Sequence, residues 1–379
     1  MTILLISRGI PTPTDAQWGS FEFDQAKALA ALGHKVIVAS VDTRFRLFWR
    51  KIGMTVDCID GIKTYNLFVC PSAIVGLLGS KVKDLYLSFL WRKLESEILK
   101  NEEHIDVIYP HYLFNTFAVI RYMKRLQAPV VAIEHWSELN KQPLPANVRY
   151  MALNTYPHLK GIITVAKSLQ TRLKELFNLD AQVVYNLVGD EFHYTPVTAH
   201  PRLRFVATGS LIYRKGFDLF AKAFDILQLP KDKWELTIIG EGKERHRLQS
   251  QIDRYGFTEN IQLVGSKNKQ EIARLLNESD VFVLPSRNEN FSVAVLEALA
   301  CGLPVIASIC GGIRECIDDK NGLLFDVDDA AGLANCIQHM CTHYEDYNRQ
   351  AIADNCQARF SPKVIAEQLT SVFNRAISL

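Results

Sequence analysis

Short apolar runs recur along the chain, and each is followed by a turn or by a segment with helical periodicity. They lie at 3–7, 36–39, 107–109, 130–133, 162–165 and 183–185, and again at 236–240, 261–265, 281–284, 305–308 and 323–325. Brief continuous apolar runs are typical of strands buried on both faces, and their alternation with helices is typical of a parallel sheet. The pattern therefore predicts an α/β protein.

A polar stretch between Gly189 and Pro201 divides the chain into two series of such runs. The second series restarts at Arg204, and Ser361 with Pro362 carries the signal of a new helix that runs to the end. We therefore predict two Rossmann-like βαβ domains.

Composition narrows the class of protein. The 379 residues are 48% hydrophobic and 22% charged with a net charge of +2, as in a globular protein with no nucleic acid partner. The eight cysteines include no C-x-x-C pair, so we expect reduced, mostly buried thiols, as in the apolar surroundings of Cys70, and a cytoplasmic location. The first apolar run is too short for a signal peptide, and no run is long enough to span a membrane.

The stretch 284–312 predicts a loop, a helix and a buried strand. Ser292 is the expected N-cap, the helix covers 293–300, and Gly302 with Pro304 stops it. Backbone amides near Phe291 to Val293 lack helical partners and lie at the positive end of the helix dipole, where they suit a phosphate.

Two carboxylates flank this predicted phosphate site. Glu289 lies in the loop before the helix, and Glu297 lies about one turn inside it. Carboxylates accept hydrogen bonds from hydroxyl groups, so the pair could hold both ends of a sugar nucleotide. The alternative is one glutamate favoured by the helix dipole and one solvated helix glutamate.

Other polar features follow the predicted strands of the second half. Residues 209–216 bring two glycines with Arg214 and Lys215, a candidate diphosphate clamp whose alternative is an ordinary turn with solvated cations. Residues 240–242 and 265–266 follow two further strands. Ligands of open α/β sheets bind beyond the carboxyl ends of the strands, so this convergence favours a ligand site.

Two histidines follow strands of the first half. His111 comes after the run that ends at Tyr109, and His135 after the run that ends at Ile133, so both are expected at the carboxyl edge of the first sheet. The alternative for each is a structural hydrogen-bonding role. Glu134 could orient a histidine, although adjacent strand residues point to opposite faces.

Several common site types are disfavoured. There is no G-x-G-x-x-G dinucleotide fingerprint and no G-x-S-x-G of serine hydrolases. Asp326 and Asp328 resemble a metal-binding pair, but an N-cap explains an acidic turn before a helix, so no metal site is predicted.

Aromatic residues and cations interleave in the first half, at 44–51 and 91–93. This composition is typical of a helix on an anionic membrane surface. The alternative is a helix packed on its own domain with solvated lysine and arginine side chains.

With these motifs assembled, the chain closely resembles the GT-B glycosyltransferases, specifically the large retaining family 4. The motifs that carry the resemblance are Gly209 with Lys215-Gly216, Gly240-Glu-Gly, Gly265-Ser, Pro285-Ser286, Glu289 with Glu297, Ala300-Cys-Gly-Leu-Pro-Val, Gly311-Gly312 and Asn321-Gly322 in the second half, and Gly19, Leu32-Gly-His-Lys-Val, His111, His135, Asn186 and Phe192 before them.

The resemblance implies two Rossmann-like domains facing across a cleft, with the C-terminal helix crossing back to the N-terminal domain. The expected acceptor-binding domain is 1–195 plus 362–379, and the expected nucleotide-sugar-binding domain is 196–361.

The resemblance also implies roles in binding the donor. Glu297 would accept hydrogen bonds from the ribose, Glu289 would contact the sugar, and the amides of Phe291 and Ser292 would meet the distal phosphate. Lys215 would neutralise the diphosphate, and it is expected in catalysis together with His135 and Glu289.

Further residues are expected around these. The segment at Gly265 would hold the base, Gly19 would let its loop approach the diphosphate, and His111 would have an acceptor or secondary role. Three positions depart from the family pattern. Ser210 stands where the family has Arg, so Arg214 is expected to supply the second cation. Ser20 replaces a glycine of the first loop, and Asn290 replaces a frequent glycine and should shape the sugar pocket.

The implied reaction is retaining transfer of a hexose without an obligatory metal. The co-substrate would be a nucleotide-diphosphate sugar, UDP-sugar rather than GDP-sugar. The acceptor would be a saccharide or lipid-linked saccharide in polysaccharide or glycoconjugate synthesis, at the inner face of the cell membrane. The alternatives are a nucleotide-sugar binding protein without chemistry and a nucleotide-sugar epimerase of the same fold.

Overall fold

The computed structural model describes residues 1–12, 15, 18–45, 52–196 and 200–378. It divides the chain into an N-terminal unit (1–165, 170–184 and 362–379) and a C-terminal unit (166–169 and 185–361). Both units are Rossmann-like α/β folds built on parallel sheets, as predicted. The division falls at Tyr185, before the predicted 195/196, because Tyr185 packs its ring on Phe291 and Phe360 of the C-terminal unit.

Within the described residues, the N-terminal unit contains eight strands, the first five helices and most of the sixth, whose first three residues fall in the C-terminal unit. The strands are β1 (Thr2–Ile6), β2 (Lys35–Asp42), β3 (Gly53–Ile59), β4 (Ile62–Phe68), β5 (Val107–Pro110), β6 (Val131–Glu134), β7 (Gly161–Thr164) and β8 (Gln182–Val183). The helices are α1 (Ser20–Ala31), α2 (Ser72–Gly76), α3 (Ser80–Asn101), α4 (Leu113–Tyr122), α5 (Ala146–Leu153) and α6 (Lys167–Phe177).

Two sheets form this unit, in the orders β3-β4-β2-β1-β5 and β6-β7-β8. Isolated bridges from Ile108 to Val130 and from His111 to Ile133 connect β5 to the start and end of β6. The β3–β4 hairpin is the antiparallel exception and was not predicted. Its turn is Asp60-Gly61, both with positive φ, which is the strongest short hairpin signal a sequence carries.

The C-terminal unit contains six parallel strands in one sheet. They are β9 (Leu203–Thr208), β10 (Trp234–Ile239), β11 (Ile261–Leu263), β12 (Val281–Leu284), β13 (Val305–Ser308) and β14 (Gly322–Phe325). Their helices are α7 (Leu219–Leu227), α8 (Arg245–Arg254), α9 (Lys269–Asn277), α10 (Val293–Ala300), α11 (Ala330–His343) and α12 (Arg349–Phe360).

The last helix, α13 (Pro362–Ile377), belongs to the N-terminal unit, where it packs against α1. Tyr109 and Phe373 meet edge to face at 4.9 Å, and His34 Nε2 lies 2.9 Å from Thr370 Oγ1. The prediction that the chain returns to the first domain is therefore confirmed.

The cysteines differ in their exposure to solvent. Cys301, Cys316 and Cys356 are buried, but Cys58 and Cys70 are exposed, so the expectation of burial at Cys70 is wrong. Cys70 follows the end of β4, where the chain leaves the sheet for α2, and its apolar neighbours do not enclose it. Among the described residues, no helix combines the length and apolar character needed to cross a membrane.

Candidate active site

The strand order of the C-terminal unit brings two loops together. The sheet runs β11-β10-β9-β12-β13-β14, the order of a dinucleotide-binding fold, with its topological switch between β9 and β12. The loop after β9 carries Arg214 and Lys215, and the loop after β12 carries Glu289. Ligands of open α/β sheets bind at such a switch, because the two loops leave the sheet in opposite directions and open a crevice.

Glu289 lies at the centre of a charged cluster, which we call the Glu289 cluster (Arg214, Lys215, Ser286 and Glu289). Lys215 Nζ donates to Glu289 Oε1 at 2.7 Å, and Arg214 Nη1 donates to Oε2 at 3.2 Å. Ser286 Oγ also donates to Oε1, at 2.9 Å. Glu289 itself is only 7% exposed, so its charge is stabilised by these neighbours rather than by bulk water.

The electrostatics of the cluster favour an anion. Burial raises the pKa of Glu289, but the positive charges of Lys215 and Arg214 lower it by more. The resulting pKa lies below the usual value of a glutamate. The carboxylate is therefore ionised at neutral pH. Two cations facing one carboxylate leave an excess positive charge at this edge of the sheet, where a diphosphate can bind.

The backbone around Glu289 is held by a close approach at Gly311. Gly311 has a φ of 54°, and a Cβ built on it would lie 1.8 Å from the carbonyl oxygen of Glu289. The amide of Gly312 also donates to the carbonyl of Asn290 at 2.8 Å. A larger residue at 311 would displace the Glu289 loop, which explains why this position carries a glycine.

Arg287 joins the two loops of the switch. Its amide donates to the carbonyl of Arg214 at 2.7 Å, and its guanidinium pairs with Asp218 at 2.8 Å and with Asp328 at 2.6 Å. Asp328 is therefore an ion-pair partner, while the neighbouring Asp329 is the N-cap of α11. Within the described residues, no group of three or more histidine, cysteine, aspartate or glutamate side chains could hold a metal ion.

Helix α10 begins and ends where the sequence predicted. Ser292 is its N-cap, but the side chain makes no capping bond, and its buried Oγ has no hydrogen-bond partner in the described part of the chain. Gly302 and Leu303 donate to Leu299 and Ala298, the pair of bonds that closes a Schellman motif. An unused buried hydroxyl beside the first amides of a helix is suited to an anion.

The remaining predicted donor residues lie around this helix and the neighbouring strand ends. Phe291 is buried and packs against Tyr185, with ring centroids 4.9 Å apart. Asn290 is buried as well, and Glu297 is partly exposed on α10. Gly265 accepts from the amide of Gly240 at 2.9 Å, so the loops after β10 and β11 lie side by side.

The N-terminal unit has a corresponding switch between β1 and β5, and its two histidines meet there. His135 Nε2 lies 3.2 Å from His111 Nδ1, and the rings stack with centroids 5.2 Å apart. His135 is partly exposed, whereas His111 is fully buried. The burial of His111 fits a role in positioning His135 better than direct contact with an acceptor.

Arg8 lies over the aromatic surroundings of this histidine pair. Its guanidinium pairs with the buried Glu22 at 2.6 Å and lies 4.7 Å from the ring centroid of Phe21. Phe21 in turn meets His135 edge to face at 5.1 Å. The pair is therefore enclosed by aromatic rings with a fixed positive charge nearby.

This environment favours the neutral forms of three groups, His111, Glu134 and His135. Burial, together with the charge of Arg8, lowers the pKa of His135 to about 3. Burial lowers the pKa of His111 as well, and His135 and Arg8 add to the effect. Burial raises the pKa of Glu134 to about 8, and its carboxyl accepts from the amide of Leu113 at 3.1 Å and from the hydroxyl of Tyr156 at 3.3 Å.

Gly19 is the N-cap of α1, and Ser20 is the first residue of the helix. A Cβ at Gly19 would lie 2.0 Å from the carbonyl oxygen of Gly9, so the loop after β1 folds back closely on itself. This close contact requires a glycine at position 19. The approach of the loop to a diphosphate, which the resemblance implies, stays a prediction.

A cavity of about 440 Å³ lies in the N-terminal unit beside α3 and α4. Cationic and aromatic side chains line it, among them Arg8, Lys83, Trp91 and Phe114. Asn115 also lines it, and its buried Nδ2 has no hydrogen-bond partner among the described residues.

The predicted basic aromatic segment is only partly described. Residues 46–51 lie outside the described residues, and Trp91 is buried in the core, which disagrees with its placement on a membrane-facing surface. Arg92 and Lys93 are exposed, as that hypothesis requires. Trp91 turns inward because it lies next to Leu90 and one turn before Leu94 on the inner face of α3.

Sequence reasoning missed three supporting contacts. Ser286 and Arg287 adjoin the recognised Glu289, but nothing in their local pattern shows that they bond across two loops. The Arg8–Glu22 pair links residues far apart along the chain, and only a charged residue directly after a buried strand could have indicated it.

Comparison with known proteins gives a consistent result. Residues 195–354 match the family of glycosyl transferases group 1, and residues 23–192 match glycosyltransferase family 4. A glycogen synthase of Mycobacterium tuberculosis is 26% identical over an alignment that covers 99% of this chain and 91% of that protein.

Solved structures agree over the whole chain. Sucrose-phosphate synthase from Thermosynechococcus elongatus superimposes with a TM-score of 0.82 at 18% identity, covering 100% of this chain and 99% of the other. HepE of Anabaena in complex with UDP-glucose gives a TM-score of 0.75 at 18% identity, with both chains fully covered. The matched families, the two Rossmann-like units and the returning C-terminal helix together establish that the chain belongs to the GT-B glycosyltransferases of family 4.

Proposed function

We propose that this glycosyltransferase transfers a hexose with retention of anomeric configuration from a nucleotide-diphosphate sugar. The donor is a UDP-sugar in preference to a GDP-sugar, and the acceptor is a saccharide or lipid-linked saccharide of a surface polysaccharide or glycoconjugate. The observation that carries the proposal is the Glu289 cluster, in which Lys215 lies 2.7 Å from a buried carboxylate at the switch between β9 and β12.

The donor occupies this cluster in the proposal. Lys215 and Arg214 neutralise the diphosphate, and the amides at the start of α10 with the unused hydroxyl of Ser292 hold the distal phosphate. Glu289 then accepts hydrogen bonds from the sugar, while Glu297 accepts them from the ribose. The phosphate oxygens then accept some of the hydrogen bonds that Lys215 and Arg214 donate to Glu289.

Catalysis in this proposal depends on charge and position. The bond between the anomeric carbon and the diphosphate breaks, and Lys215 stabilises the negative charge that develops on the leaving group. The acceptor hydroxyl attacks on the same face and passes its proton to the departing phosphate oxygen. His135, neutral because its pKa is about 3, positions the sugar by hydrogen bonding rather than by charge.

The protein's own cations supply the charge for this step, so we propose that the reaction requires no metal. The preference for UDP-sugar is supported by the similarity to HepE, whose structure holds UDP-glucose. The similarity to a glycogen synthase supports a saccharide acceptor.

We assign the acceptor to the cavity in the N-terminal unit. Lys83 and the unpartnered amide of Asn115 offer donors to sugar hydroxyls or to a phosphate, and the partly exposed Phe114 offers a ring on which a sugar can stack. This arrangement suits a saccharide that carries an anionic group, as in a lipid-linked acceptor presented at the cytoplasmic face of a membrane.

The test is a donor screen on the full chain. UDP-glucose, UDP-galactose, UDP-N-acetylglucosamine and GDP-mannose are incubated with the protein, with and without EDTA, and nucleotide release is measured. We expect slow hydrolysis of one UDP-sugar that EDTA does not abolish, and a sugar product that NMR shows to retain its anomeric configuration initially. Binding without nucleotide release for any donor and acceptor would contradict the proposal, as would an inverted product.

A further inference from the structure

The last turn of α11 presents two histidines on one face of the helix. His339 and His343 are four residues apart, so their side chains are neighbours on the helix surface. Both residues are exposed, and their rings stack with centroids 4.3 Å apart and an angle of 10° between the ring planes. Neither the Glu289 cluster nor the cavity of the N-terminal unit includes them. We call these two residues the His339–His343 pair.

Hydrogen bonds hold the ring of His343 in one tautomer. Its Nδ1 lies 3.1 Å from the carbonyl oxygen of His339 and 2.6 Å from Oγ1 of Thr342. A carbonyl oxygen can only accept, so Nδ1 of the neutral ring carries the proton and donates it. Nε2 is then left with a lone pair. Histidines that bind metal ions are commonly fixed in this way, with the second ring nitrogen donating to a backbone carbonyl.

A role in ending the helix explains only one of the two histidines. A histidine near a helix C-terminus can bond the last carbonyl groups and is favoured by the helix dipole. His343 does so through Nδ1. The ring of His339 makes no hydrogen bond to any residue that the structure describes, so capping gives no reason for its presence beside His343.

The spacing of the pair is that of known metal ligands. Two histidines at i and i+4 on a helix bind zinc in the H-E-x-x-H metalloproteases, where the glutamate is the general base. Here the sequence is His-Met-Cys-Thr-His, and the buried Met340 stands in place of that glutamate. The arrangement therefore favours metal binding without hydrolysis.

The charges along this part of the chain favour a cation. From Asn321 to Asn348 the sequence contains no lysine or arginine. Glu345 and Asp346 follow the pair directly and are exposed. Over the described ranges of the chain, the two histidines form no group of three metal-ligating side chains with any neighbour. These carboxylates therefore attract a cation through their field rather than by coordination.

We propose that the His339–His343 pair binds one divalent transition-metal ion through two imidazole nitrogens. Imidazole suits Zn²⁺, Cu²⁺ and Ni²⁺, and Cu²⁺ binds most tightly in the general order of affinities. Metal–nitrogen bonds of about 2 Å require both rings to rotate from their stacked positions, which exposed side chains can do at little cost. Water fills the remaining coordination positions.

The proposed metal site is remote from the donor site. Asp329 is the N-cap of α11, and the preceding Asp328 pairs with Arg287 at the switch. The 14 residues of the helix span about 20 Å, so His343 lies about that far from its N-cap. The ion would hold the last helical turn closed and take no part in sugar transfer. This inference therefore does not rest on the proposed function.

Titration of the full chain with Cu²⁺, without a histidine tag, tests the site. We expect one ion per chain whose pulsed EPR spectrum shows two coordinated imidazoles. His339→Asn and His343→Asn should each weaken binding by about 100-fold or more, because joining two ligands on one scaffold typically raises affinity by 10²- to 10⁴-fold. Cu²⁺ should also raise the Tm of the wild type but not that of the double variant.

Matched controls separate the pair from other exposed histidines. His246→Asn removes a single exposed histidine, and His104→Asn removes one that lies 2.9 Å from the carboxylate of Asp106. Both should bind Cu²⁺ as the wild type does. Metal-free unfolding of the double variant, and its hydrolysis of the donor in EDTA, should match the wild type, so failure of this site and failure of the proposed function are distinguishable. A spectrum with one imidazole, equal affinity of the double variant, or an equal loss in His104→Asn would each overturn the proposal.

Discussion

Buried titratable groups differ in protonation between the two units. In the C-terminal unit, Glu289 is buried but ionised, because Lys215 and Arg214 lower its pKa more than burial raises it. In the N-terminal unit, burial is not offset in this way, so Glu134 has a raised pKa and His135 a pKa lowered to about 3.

This difference separates two tasks that a transferase has to perform. In the proposed mechanism the leaving group needs fixed cations, and the C-terminal unit carries Lys215 and Arg214 on a loop that Arg287 ties to the Glu289 loop. The proposed role of His135 needs a hydrogen bond without a competing charge, which a neutral histidine can make. The first site should therefore be sensitive to the loss of charge, and the second to changes in protonation.

The largest expected effect is that of Lys215→Ala. Losing the cation that faces the leaving group should lower kcat by about 100- to 1,000-fold, since removing one stabilising donor from a transition state typically costs that much. The measurement is nucleotide release at saturating donor. Lys222→Ala, an exposed lysine on α7, is the control, and full activity of Lys215→Ala would remove this residue from the mechanism.

Gly311→Ala tests whether donor binding depends on the position of the Glu289 loop as well as on its charges. The new Cβ would meet the carbonyl of Glu289, so we expect about 2 kcal/mol or more of lost stability and weaker donor binding. Gly33→Ala is the matched control, because Gly33 also has a positive φ but no atom within 4 Å of its Cβ position. Equal effects of the two variants on donor affinity would argue against a displaced Glu289 loop.

Glu134→Gln tests the neutral state of the N-terminal unit. The native pKa of about 8 exceeds the unfolded value of about 4.3, so the protonated carboxyl contributes stability that is fully present below about pH 4 and is lost as pH rises to 8. The glutamine variant should therefore gain about 2–4 kcal/mol relative to wild type between pH 5 and pH 8.

Urea unfolding at several pH values measures this change in the free energy of unfolding. Glu103→Gln, at an exposed glutamate, should leave the pH dependence as it is in wild type. A parallel pH dependence for wild type and Glu134→Gln would show that Glu134 is ionised in the folded protein.

The smallest expected effect is that of Glu297→Gln. The amide oxygen can still accept a hydrogen bond but has lost its charge, so donor affinity should fall by about threefold to tenfold. Titration calorimetry with UDP and with the UDP-sugar measures it, with Glu259→Gln as the exposed control in the same unit. An unchanged affinity would place the ribose elsewhere.

Much of the C-terminal site could be predicted, because its residues lie close together in the sequence. Helix α10 and strand β13 have the predicted limits, since the signals that start and stop them are local: Ser292 before the helix and Gly302 with Pro304 after it. The unpredicted β3–β4 hairpin does carry local signals, namely alternating apolar and polar residues in β4 and the Asp60-Gly61 turn. The prediction rested on continuous apolar runs, which these two half-exposed strands lack.

Local sequence patterns do not predict which distant residues make contact. The bond from Lys215 to Glu289 depends on β9 and β12 being neighbours, and strand order is decided by packing of the whole sheet. The burial of His111 and the pKa values that follow from burial likewise depend on elements that are remote along the chain.

By itself the sequence determined the alternation of strands and helices, the strand-end positions of Glu289, Lys215 and His135, and the start of α13 at Pro362, because each depends on a local pattern of apolar residues, caps and turns. Only the tertiary structure decided which of these charges meet, which histidine is buried and which face of α3 remains exposed. The physical reason is that both faces of α3 are apolar, so periodicity cannot tell the core face from the outer one, and burial is a property of what packs against the helix.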